Sequence, residues 1–274
     1  MGRRTFQTLD AVFAAGAMAV TAASAGHFPC SPLVREGPGG PPSAAPVAAT
    51  ALPVGEEYLF AVRWGPVKLG EVRLWSEWAP GPAGDRLALR ARIRSNRALA
   101  AVFALDSYAE TLADPVNLRP VVSTLHSVEK GRVREECLQF DAPDGRLRRW
   151  LSWRDPPPDE PPAADWRDVL TAVWRFRADM AAGRRPGRLA IAAGPDLVLV
   201  DPGEAASESV RVPALGEVAC HRFKPAVFRD GRPLRRNLYT IWLAEAPPHG
   251  PMRIAVETPS VTLHAHLLAH RRAP

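Results

Sequence analysis

The sequence predicts a mainly β (α+β) fold, in which one or two large curved antiparallel sheets carry a single amphipathic helix on the concave face. Three observations lead to this prediction. Many short segments alternate apolar and polar residues, turn signals rich in Gly, Pro and Asp separate them, and one segment repeats its apolar residues at helical spacing. A lone helix with a wide apolar stripe must bury that stripe against the sheet.

The N-terminus has the pattern of a bacterial export signal. Met-Gly-Arg-Arg precedes an uncharged run from 11 to 26, and the small residues Ala23-Ser24-Ala25 predict cleavage after Ala25. An uncleaved membrane anchor and a lipidated Cys30 are the alternatives. The run is shorter than the roughly 20 apolar residues that span a bilayer, which favours cleavage. No second apolar stretch approaches that length, so we expect no transmembrane segment after cleavage.

The composition divides the chain into three parts. Residues 1–25 are predicted to be the signal peptide. Residues 26–51 are rich in Pro and Ala and bury too little apolar surface to order themselves, so they are predicted to form a disordered tether. Residues 52–270 are predicted to form a single β-rich domain located in the periplasm or cell envelope.

The first three strands show the clearest alternation. Tyr58, Phe60, Val62 and Trp64 share one face of the run 58–64, which predicts a strand with an aromatic inner surface. Gly65-Pro66 supplies a turn into the run 67–75, where Gly70 predicts a bulge or a close backbone approach. The run 86–94 places Leu87, Leu89, Ala91 and Ile93 on one face and a row of arginines on the other.

The remaining strands follow the same pattern, separated by Asp-Pro, Lys-Gly and Pro-Asp-Gly turn signals. They are predicted at 106–112, 120–128, 133–141, 147–153, 188–192, 197–201, 209–212, 218–228, 238–243, 253–258 and 261–268.

One helix interrupts the strands. The Pro-rich segment 155–162 leads to Asp165, a residue type that commonly caps a helix N-terminus. Trp166, Val169, Leu170, Val173 and Trp174 then fall at i, i+3, i+4, i+7 and i+8, which is one stripe of an amphipathic helix. Gly183 and Pro186 are predicted to end it.

The net charge of +6 does not indicate a nucleic-acid partner. Only three of the 35 basic residues are Lys, a bias typical of a GC-rich genome, and the basic residues are interleaved with Asp and Glu. The chain has no aromatic-basic motif, zinc spacing or recognition-helix pattern. We therefore expect no nucleic-acid binding.

The three cysteines leave two possibilities open. An oxidising compartment would permit a disulfide between Cys137 and Cys220, with Cys30 left over in the tether. Alternatively, Cys137 and Cys220 are two separate buried thiols, since free Cys behaves as a small hydrophobic residue.

Two groups of residues are candidates for ligand binding. Arg90, Arg92 and Arg94 line one face of a strand and would attract phosphate or carboxylate groups, unless they are simply a water-facing row. The second group is aromatic and is predicted either to line a cavity for an acyl chain or to pack as core. It consists of Tyr58, Phe60, Trp64, Trp166 and Trp174.

No catalytic or metal site is predicted, and no cofactor. His264 and His266 point to one side of a strand about 7 Å apart, but they lack further ligands. Cys220 and His221 are adjacent on a strand and therefore point to opposite faces, which argues against a thiol–imidazole pair. The sequential acidic pairs Glu56-Glu57 and Glu135-Glu136 also split across two faces and are expected at solvated edges.

Several short motifs resemble one family of exported bacterial proteins, domain of unknown function family 3108. They are Pro53-Val54-Gly55-Glu56 before the strand 58–64, Leu69-Gly70-Glu71, the segment Asp168-Val169-Leu170-Thr171-Ala172 leading to Arg177, and Ile241-Trp242-Leu243 followed by Pro251-Met252-Arg253-Ile254. The sequence departs from the family at Ala246-Pro247-Pro248-His249, where acidic residues are usual. The resemblance implies an envelope location and a β-rich fold, and no catalytic residues. The layout is also distantly similar to periplasmic lipoprotein carriers with a half-open barrel.

These observations predict a non-enzymatic envelope protein that binds a lipid or another amphiphilic envelope component, or that assists envelope assembly. The alternative is a structural or interaction module that docks on envelope proteins or polysaccharide through its sheet edges and arginine face. An enzyme acting on envelope polymers would need titratable side chains that converge in a cleft.

Overall fold

The computed structural model describes residues 52, 54–81, 84–99, 104–140, 146–153, 166–234 and 238–272. The predicted signal peptide, almost all of the tether and Cys30 lie outside these residues. The described chain forms a twelve-stranded antiparallel sheet, a five-stranded sheet and one α-helix. The predicted fold class, mainly β with one helix on a large antiparallel sheet, is confirmed.

The strands are numbered in chain order. They are β1 (Glu56–Trp64), β2 (Val67–Ala79), β3 (Arg86–Ser95), β4 (Leu105–Ala113), β5 (Pro120–Glu129), β6 (Arg132–Gln139), β7 (Arg148–Leu151), β8 (Trp166–Arg167), β9 (Leu189–Ala193), β10 (Asp196–Asp201), β11 (Ala206–Val212), β12 (Gly216–Phe223), β13 (Ala226–Arg229), β14 (Arg232–Pro233), β15 (Leu238–Ala244), β16 (Pro251–Glu257) and β17 (Thr262–Arg272). The large sheet has the order β11-β12-β15-β16-β17-β1-β2-β3-β4-β5-β6-β7, and the small sheet has the order β14-β13-β10-β9-β8.

The middle of the large sheet has two distinct ends. The connections β1–β2, β3–β4, β5–β6 and β16–β17 all lie at one end, which we call the turn end. The opposite end, which we call the terminal end, contains the start of β1 paired with the finish of β17. The connections β2–β3, β4–β5 and β15–β16 lie there too.

Gly70 marks a close approach of two backbones, as the sequence predicted. A Cβ atom at this position would collide with the backbone carbonyl of Arg94 on the neighbouring strand. The register between β1 and β2 also shifts between Val62 and Arg63, next to the pairing of Val62 with Gly70. A side chain at this position would therefore separate β2 from β3.

The helix, α1, spans Val169–Ala181 and begins later than the sequence predicted. Asp168 is the N-cap, and it forms a capping box with Thr171. Trp166 lies on β8, which pairs with β9 in parallel, so it does not belong to the helical stripe. Asp165, the expected N-cap, lies outside the described residues. The reciprocal hydrogen bonds of Asp168 and Thr171 explain why the helix begins at Val169.

The predicted end of the helix is confirmed. Gly183 has a φ of +66°, and its N–H donates to the carbonyl of Met180. The N–H of Arg184 donates to the carbonyl of Asp179. A left-handed glycine with these two bonds is a common way to terminate a helix, because it satisfies carbonyls of the last turn.

The predicted strand at 218–228 is in fact two strands in different sheets. β12 ends at Phe223 and belongs to the large sheet, whereas β13 begins at Ala226 and pairs with β10 in the small sheet. Pro225 lies between them, and a proline cannot donate a backbone hydrogen bond to a neighbouring strand. The chain therefore changes sheets at this point.

Helix α1 lies between the two sheets. Leu170, Trp174 and Ala178 pack into the main core with residues of the large sheet. Ala172 packs instead with Ile191 of the small sheet, in a cluster that also contains Val198. One side of the helix therefore packs on the large sheet and the other on the small sheet, and both contacts fix its position.

The disulfide that the sequence left open does not form. Cys220 on β12 is a free, fully buried thiol. Cys137 on β6 is buried and disulfide-bonded, so these two cysteines are not partners of each other. Burial, together with the charges of Glu245 and Glu208, raises the pKa of the Cys220 thiol to about 11. Cys220 is therefore a protonated core residue at neutral pH.

Candidate functional site

An apolar cleft lies between α1 and the large sheet. It has an empty volume of about 770 Å³, part of which is open to solvent. Thirteen side chains line it, and none of them is charged or carries a carboxyl, hydroxyl or amide group. They are Phe60, Val62, Val72, Leu74, Ile93, Val169, Leu170, Val173, Trp174, Ile254, Val256, Leu263 and Ala265.

Strand alternation and helix periodicity explain this lining. Phe60 and Val62 on β1 are two positions apart, as are Val72 and Leu74 on β2, so the members of each pair face the same side of the sheet. The helix contributes Val169, Leu170, Val173 and Trp174, which is the stripe that the sequence predicted without Trp166. The first turns of α1 thus form the roof of the cleft, and five neighbouring strands form its floor.

A buried polar network closes the interior at the terminal end. Arg177 of α1 donates to Glu56 Oε1 at 2.5 Å, and Tyr58 donates to Glu56 Oε2 at 2.7 Å. His270 Nε2 lies 3.6 Å from the same Oε2 atom. The Arg177 guanidinium also donates from Nε to the carbonyl of Pro248 at 2.9 Å. The side chains of Glu56 and Arg177 are 1% and 6% exposed, so this pair is shielded from water.

The network keeps Glu56 ionised despite its burial. Burial alone would raise the pKa of this carboxyl, but the contacts with His270, Arg177 and Tyr58 outweigh burial, and the pKa is lowered. Burial and the charge of Glu56 raise the pKa of the Tyr58 hydroxyl. The Tyr58 ring also packs on Trp174, with 5.7 Å between ring centroids. These residues therefore block the cleft beyond Phe60, Leu74 and Trp174.

The cleft extends in the other direction, toward the turn end. Val256 is the residue before the last of β16, and Leu263 is the second residue of β17. Trp64 follows Val62 on the same face of β1, and its side chain is 55% exposed. The accessible end of the cleft is therefore the turn end of the sheet.

The aromatic residues predicted from the sequence divide into three groups. Phe60 and Trp174 line the cleft. Tyr58 is fully buried behind the cleft, where it bonds to Glu56. Trp64 lies exposed at the turn end, and Trp166 packs instead near Leu138, Phe140 and Ala192. The structure thus brings only two of the five side chains into one site.

Most of the lining was not predicted as a site, although the sequence contained a signal for it. Val62 and Ile93 belong to apolar faces that alternation identifies. Ile254, Val256, Leu263 and Ala265 come from β16 and β17, which lie far along the chain from β1. Only the pairing of β17 with β1 brings these two regions together.

The three arginines of β3 are paired with carboxylates of neighbouring strands. Arg90 contacts Glu77 on β2 and donates from Nε to Glu110 on β4 at 2.5 Å. Arg92 forms two bonds of 3.0 Å to Asp106, and Arg94 adds a third at 3.1 Å. Burial would raise the pKa of Asp106, but bonding to Arg92 and Arg94 lowers it. Much of the positive charge of this face is therefore neutralised locally.

A second buried polar cluster holds the N-terminus of the helix. Thr111 on β4 donates to Asp168 Oδ2 at 2.6 Å, and Thr171 donates to Asp168 Oδ1 at 2.5 Å. Glu136 on β6 lies nearby with a side chain that is 6% exposed. Its Oε1 accepts from the N–H of Gly194 at 3.1 Å, while its Oε2 makes no hydrogen bond with the described residues. Burial first, and then the charge of Asp168, raises the pKa of Glu136 to about 7.

The prediction that the acidic pairs lie at solvated edges is wrong for one member of each pair. Glu56 and Glu136 are buried, and Glu57 and Glu135 face outward. The physical reason is the alternation itself. A strand that is covered on one face must bury one of two consecutive side chains.

The histidine and cysteine patterns do not assemble into a site. His264 lies 3.1 Å from Arg253, and its ring centroid is 5.7 Å from that of His266. Burial and the Arg253 charge lower the pKa of both histidines. Among the described residues, no three His, Cys, Asp or Glu side chains lie close enough together to hold one metal ion.

Comparison with known proteins identifies the family. A model of a protein family of unknown function, DUF3108, matches residues 59–265. The chain belongs to this family. The match covers all thirteen lining residues of the cleft and all of α1, so the cleft lies within the DUF3108 region. A search of curated proteins found no match.

Two solved structures align with most of this DUF3108 chain, and the first of them shares its fold. A beta-barrel-like protein of domain of unknown function DUF1849 from Brucella abortus aligns with 84% of this chain and 99% of its own, at 12% identity and a TM-score of 0.52. A "putative lipoprotein" from Parabacteroides distasonis aligns with 80% of this chain and 95% of its own, at 9% identity and a TM-score of 0.31. At such identities only the fold of the first is informative. In the described part of the chain, no helix has the length and hydropathy needed to cross a bilayer.

Proposed function

We propose that this protein binds the hydrocarbon chain of an amphiphile in the cleft between α1 and the large sheet, and that it does so in the bacterial cell envelope without catalysing a reaction. The observation that carries this proposal is the entirely apolar lining of the cleft. The envelope location rests on the export signal predicted at residues 1–25.

The chemistry of the lining selects the ligand class. A polar ligand would lose its hydrogen bonds to water in this cleft and find few replacements there. Each methylene group moved out of water contributes about 0.8 kcal/mol, so roughly six methylenes contribute about 5 kcal/mol. A single alkyl chain with its head group outside the turn end fits both the lining and the blocked terminal end.

The same lining favours binding over catalysis. Catalysis requires titratable or nucleophilic groups that reach the reacting atoms, and no such side chain lines the cleft. The alternative of docking through Arg90, Arg92 and Arg94 receives less support, because each of the three guanidinium groups bonds to a carboxylate on a neighbouring strand.

A cavity-filling variant tests the proposal. Ala265 lines the cleft from β17, and Ala265→Phe would occupy space that the alkyl chain needs. We expect this change to weaken binding of a dansyl-labelled undecanoic acid at least tenfold, measured by fluorescence titration in lipid-free buffer. Ala269→Phe is the matched control, because Ala269 lies on the same strand opposite Leu59 and does not line the cleft.

Two outcomes would overturn the proposal. The first is that the wild-type protein does not bind the probe. The second is that Ala265→Phe, with native circular dichroism and thermal unfolding, binds the probe as tightly as the wild type does. Native mass spectrometry of protein purified from its own envelope provides an independent reading of whether an amphiphile is bound.

A further inference from the structure

Large apolar side chains are exposed at the turn end of the sheet. Trp64 and Val67 are cross-strand partners on either side of the Gly65-Pro66 turn, and they are 55% and 45% exposed. Leu238, at the start of β15, lies at the same end and is 56% exposed. We call these three residues the apolar rim. Adjacent exposed apolar side chains beside the mouth of a cleft are a common feature of membrane-contact and ligand-contact sites.

The apolar rim is continuous with the cleft. Trp64 lies one step beyond Val62 on the cleft-facing side of β1, and Leu263 of the lining is the second residue of β17. The terminal end is blocked by Tyr58 and by the Glu56–Arg177 pair. An amphiphile whose chain enters the cleft must therefore pass the apolar rim.

The turn end also carries an excess of basic residues. In the described connections at this end, counted with two flanking residues on each strand, the basic side chains outnumber the acidic ones. The basic residues are Arg63, Lys68, Arg94, Arg97, Lys130 and Arg132, and the acidic ones are Asp106, Glu129 and Glu257. Two of the basic residues form ion pairs, Arg94 with Asp106 and Lys68 with Glu71, which lies just beyond the counted residues. Anionic head groups attract such a surface, and tryptophan prefers the boundary between head groups and acyl chains.

We propose that the turn end docks on a lipid surface that contains anionic head groups, with Trp64 and Val67 inserted at the interface and the cleft opening onto the lipid. This inference rests on the proposed function, because it names the source of the ligand. A lipid surface fits better than a folded protein partner. A stable protein interface buries at least about 1,200 Å² in total, whereas a hairpin tip with two apolar residues offers far less. Insertion into a head-group layer requires no such area.

Vesicle sedimentation of the full chain, as purified, tests the docking. We expect binding to vesicles of phosphatidylcholine with 30% phosphatidylglycerol to exceed binding to pure phosphatidylcholine, and to weaken as salt is added. The double change Trp64→Ala and Val67→Ser should weaken binding to the anionic vesicles at least fivefold. Trp78→Ala is the matched control, because Trp78 is 47% exposed near the opposite end of the same hairpin. Residues 1–51 are present in every variant, so any vesicle binding through them is the same in all of them.

The outcomes separate this inference from the proposed function. Equal vesicle binding by the double variant and the wild type, or no binding by either, would overturn the docking while probe binding in lipid-free buffer still supports the cleft. Loss of a wild-type dimer in the double variant, measured by size-exclusion chromatography, would instead identify a second copy as the occupant of the rim. Cross-linking of residues 1–51 to the apolar rim would identify that segment as the occupant of the rim. Either result would overturn docking on lipid.

Discussion

The two ends of helix α1 are held on the large sheet by different chemistry. Near its C-terminus, Arg177 forms a buried ion pair with Glu56, the second oxygen of Glu56 accepts from Tyr58, and Nε of Arg177 donates to the carbonyl of Pro248. At its N-terminus, Asp168 caps the helix, but the neighbouring Glu136 is buried with one oxygen that makes no hydrogen bond with the described residues. One end therefore contains an ion pair that keeps its carboxyl group charged, and the other contains a carboxyl group whose pKa is raised by burial.

This difference coincides with the position of the cleft. Val169, Leu170 and Val173 of the first turns line the cleft, whereas Arg177, four residues before the end of α1, does not. Regions that admit ligands are commonly drawn from the less stable parts of a fold. We infer that the N-terminal half of α1 is the part that adjusts when a ligand enters, while the Arg177 contact keeps the helix in place.

The largest expected effect follows from breaking the Glu56–Arg177 pair. Glu56→Gln leaves Arg177 buried without its counter-charge, which typically costs 3–5 kcal/mol. We expect the free energy of unfolding at pH 7, measured by urea denaturation, to fall by about that amount. The pKa of Glu56 is lowered in the folded state. The stability that the ionised carboxylate contributes is therefore fully present above its unfolded-state pKa of 4.5 and is lost as the pH falls through its folded-state pKa.

Glu57→Gln is the control for this change. Glu57 is the next residue on β1, faces outward and bonds to Arg73 at 2.7 Å in an ion pair that is partly exposed. Such pairs contribute about 0–1 kcal/mol. If both variants lost the same amount, burial of the Glu56 pair would not be what holds the C-terminal end of the helix.

The second effect has the opposite sign and depends on pH. Burial raises the pKa of Glu136 from 4.5 to about 7, so the folded state binds a proton that the unfolded state has already released in this range. Wild-type stability therefore falls as the pH rises from 4.5 to 7 and then levels off. Glu136→Gln removes this dependence, and at pH 8 it should be more stable than the wild type by up to about 3 kcal/mol.

Denaturation curves between pH 4.5 and 8 measure this effect. The two proteins should converge at the acid end and diverge toward pH 8. Glu135→Gln is the adjacent control, because Glu135 is 38% exposed beside His126. Parallel pH profiles of stability for the wild type and Glu136→Gln would show that burial does not raise the pKa of the carboxyl group near the N-terminal end of the helix.

Local patterns predicted much of the fold, because period-2 alternation and the apolar helical stripe each depend on neighbouring residues. Alternation also implies that one member of each acidic pair, Glu56-Glu57 and Glu135-Glu136, is buried. Identifying the buried member requires knowing which face of the sheet the helix covers. The start of α1 was predicted too early, since the Asp168–Thr171 capping box competes with a longer apolar stripe that includes Trp166.

The cleft could be predicted only in part. Phe60 and Trp174 were identified because aromatic residues repeat on a face and on a stripe. Ile254, Val256 and Leu263 could not be assigned, because the pairing of β1 with β17 joins the two ends of the described chain. No local signal specifies such a long-range contact, and the same is true of the contact between Glu56 and Arg177.

The smallest expected effect concerns the cap itself. Thr171 is fully buried, and its hydroxyl takes part in the capping box with Asp168. Thr171→Val keeps the shape of the side chain and removes the hydrogen bonds, which should lower the free energy of unfolding by about 1 kcal/mol. Because the cleft lies under the first turns, hydrogen exchange should quicken for the amides of Ala172 and Val173 and remain unchanged for those of Ala178 and Met180. Equal acceleration along the whole helix would mean that α1 opens as one unit, and the difference between its two ends would then have no bearing on how a ligand enters.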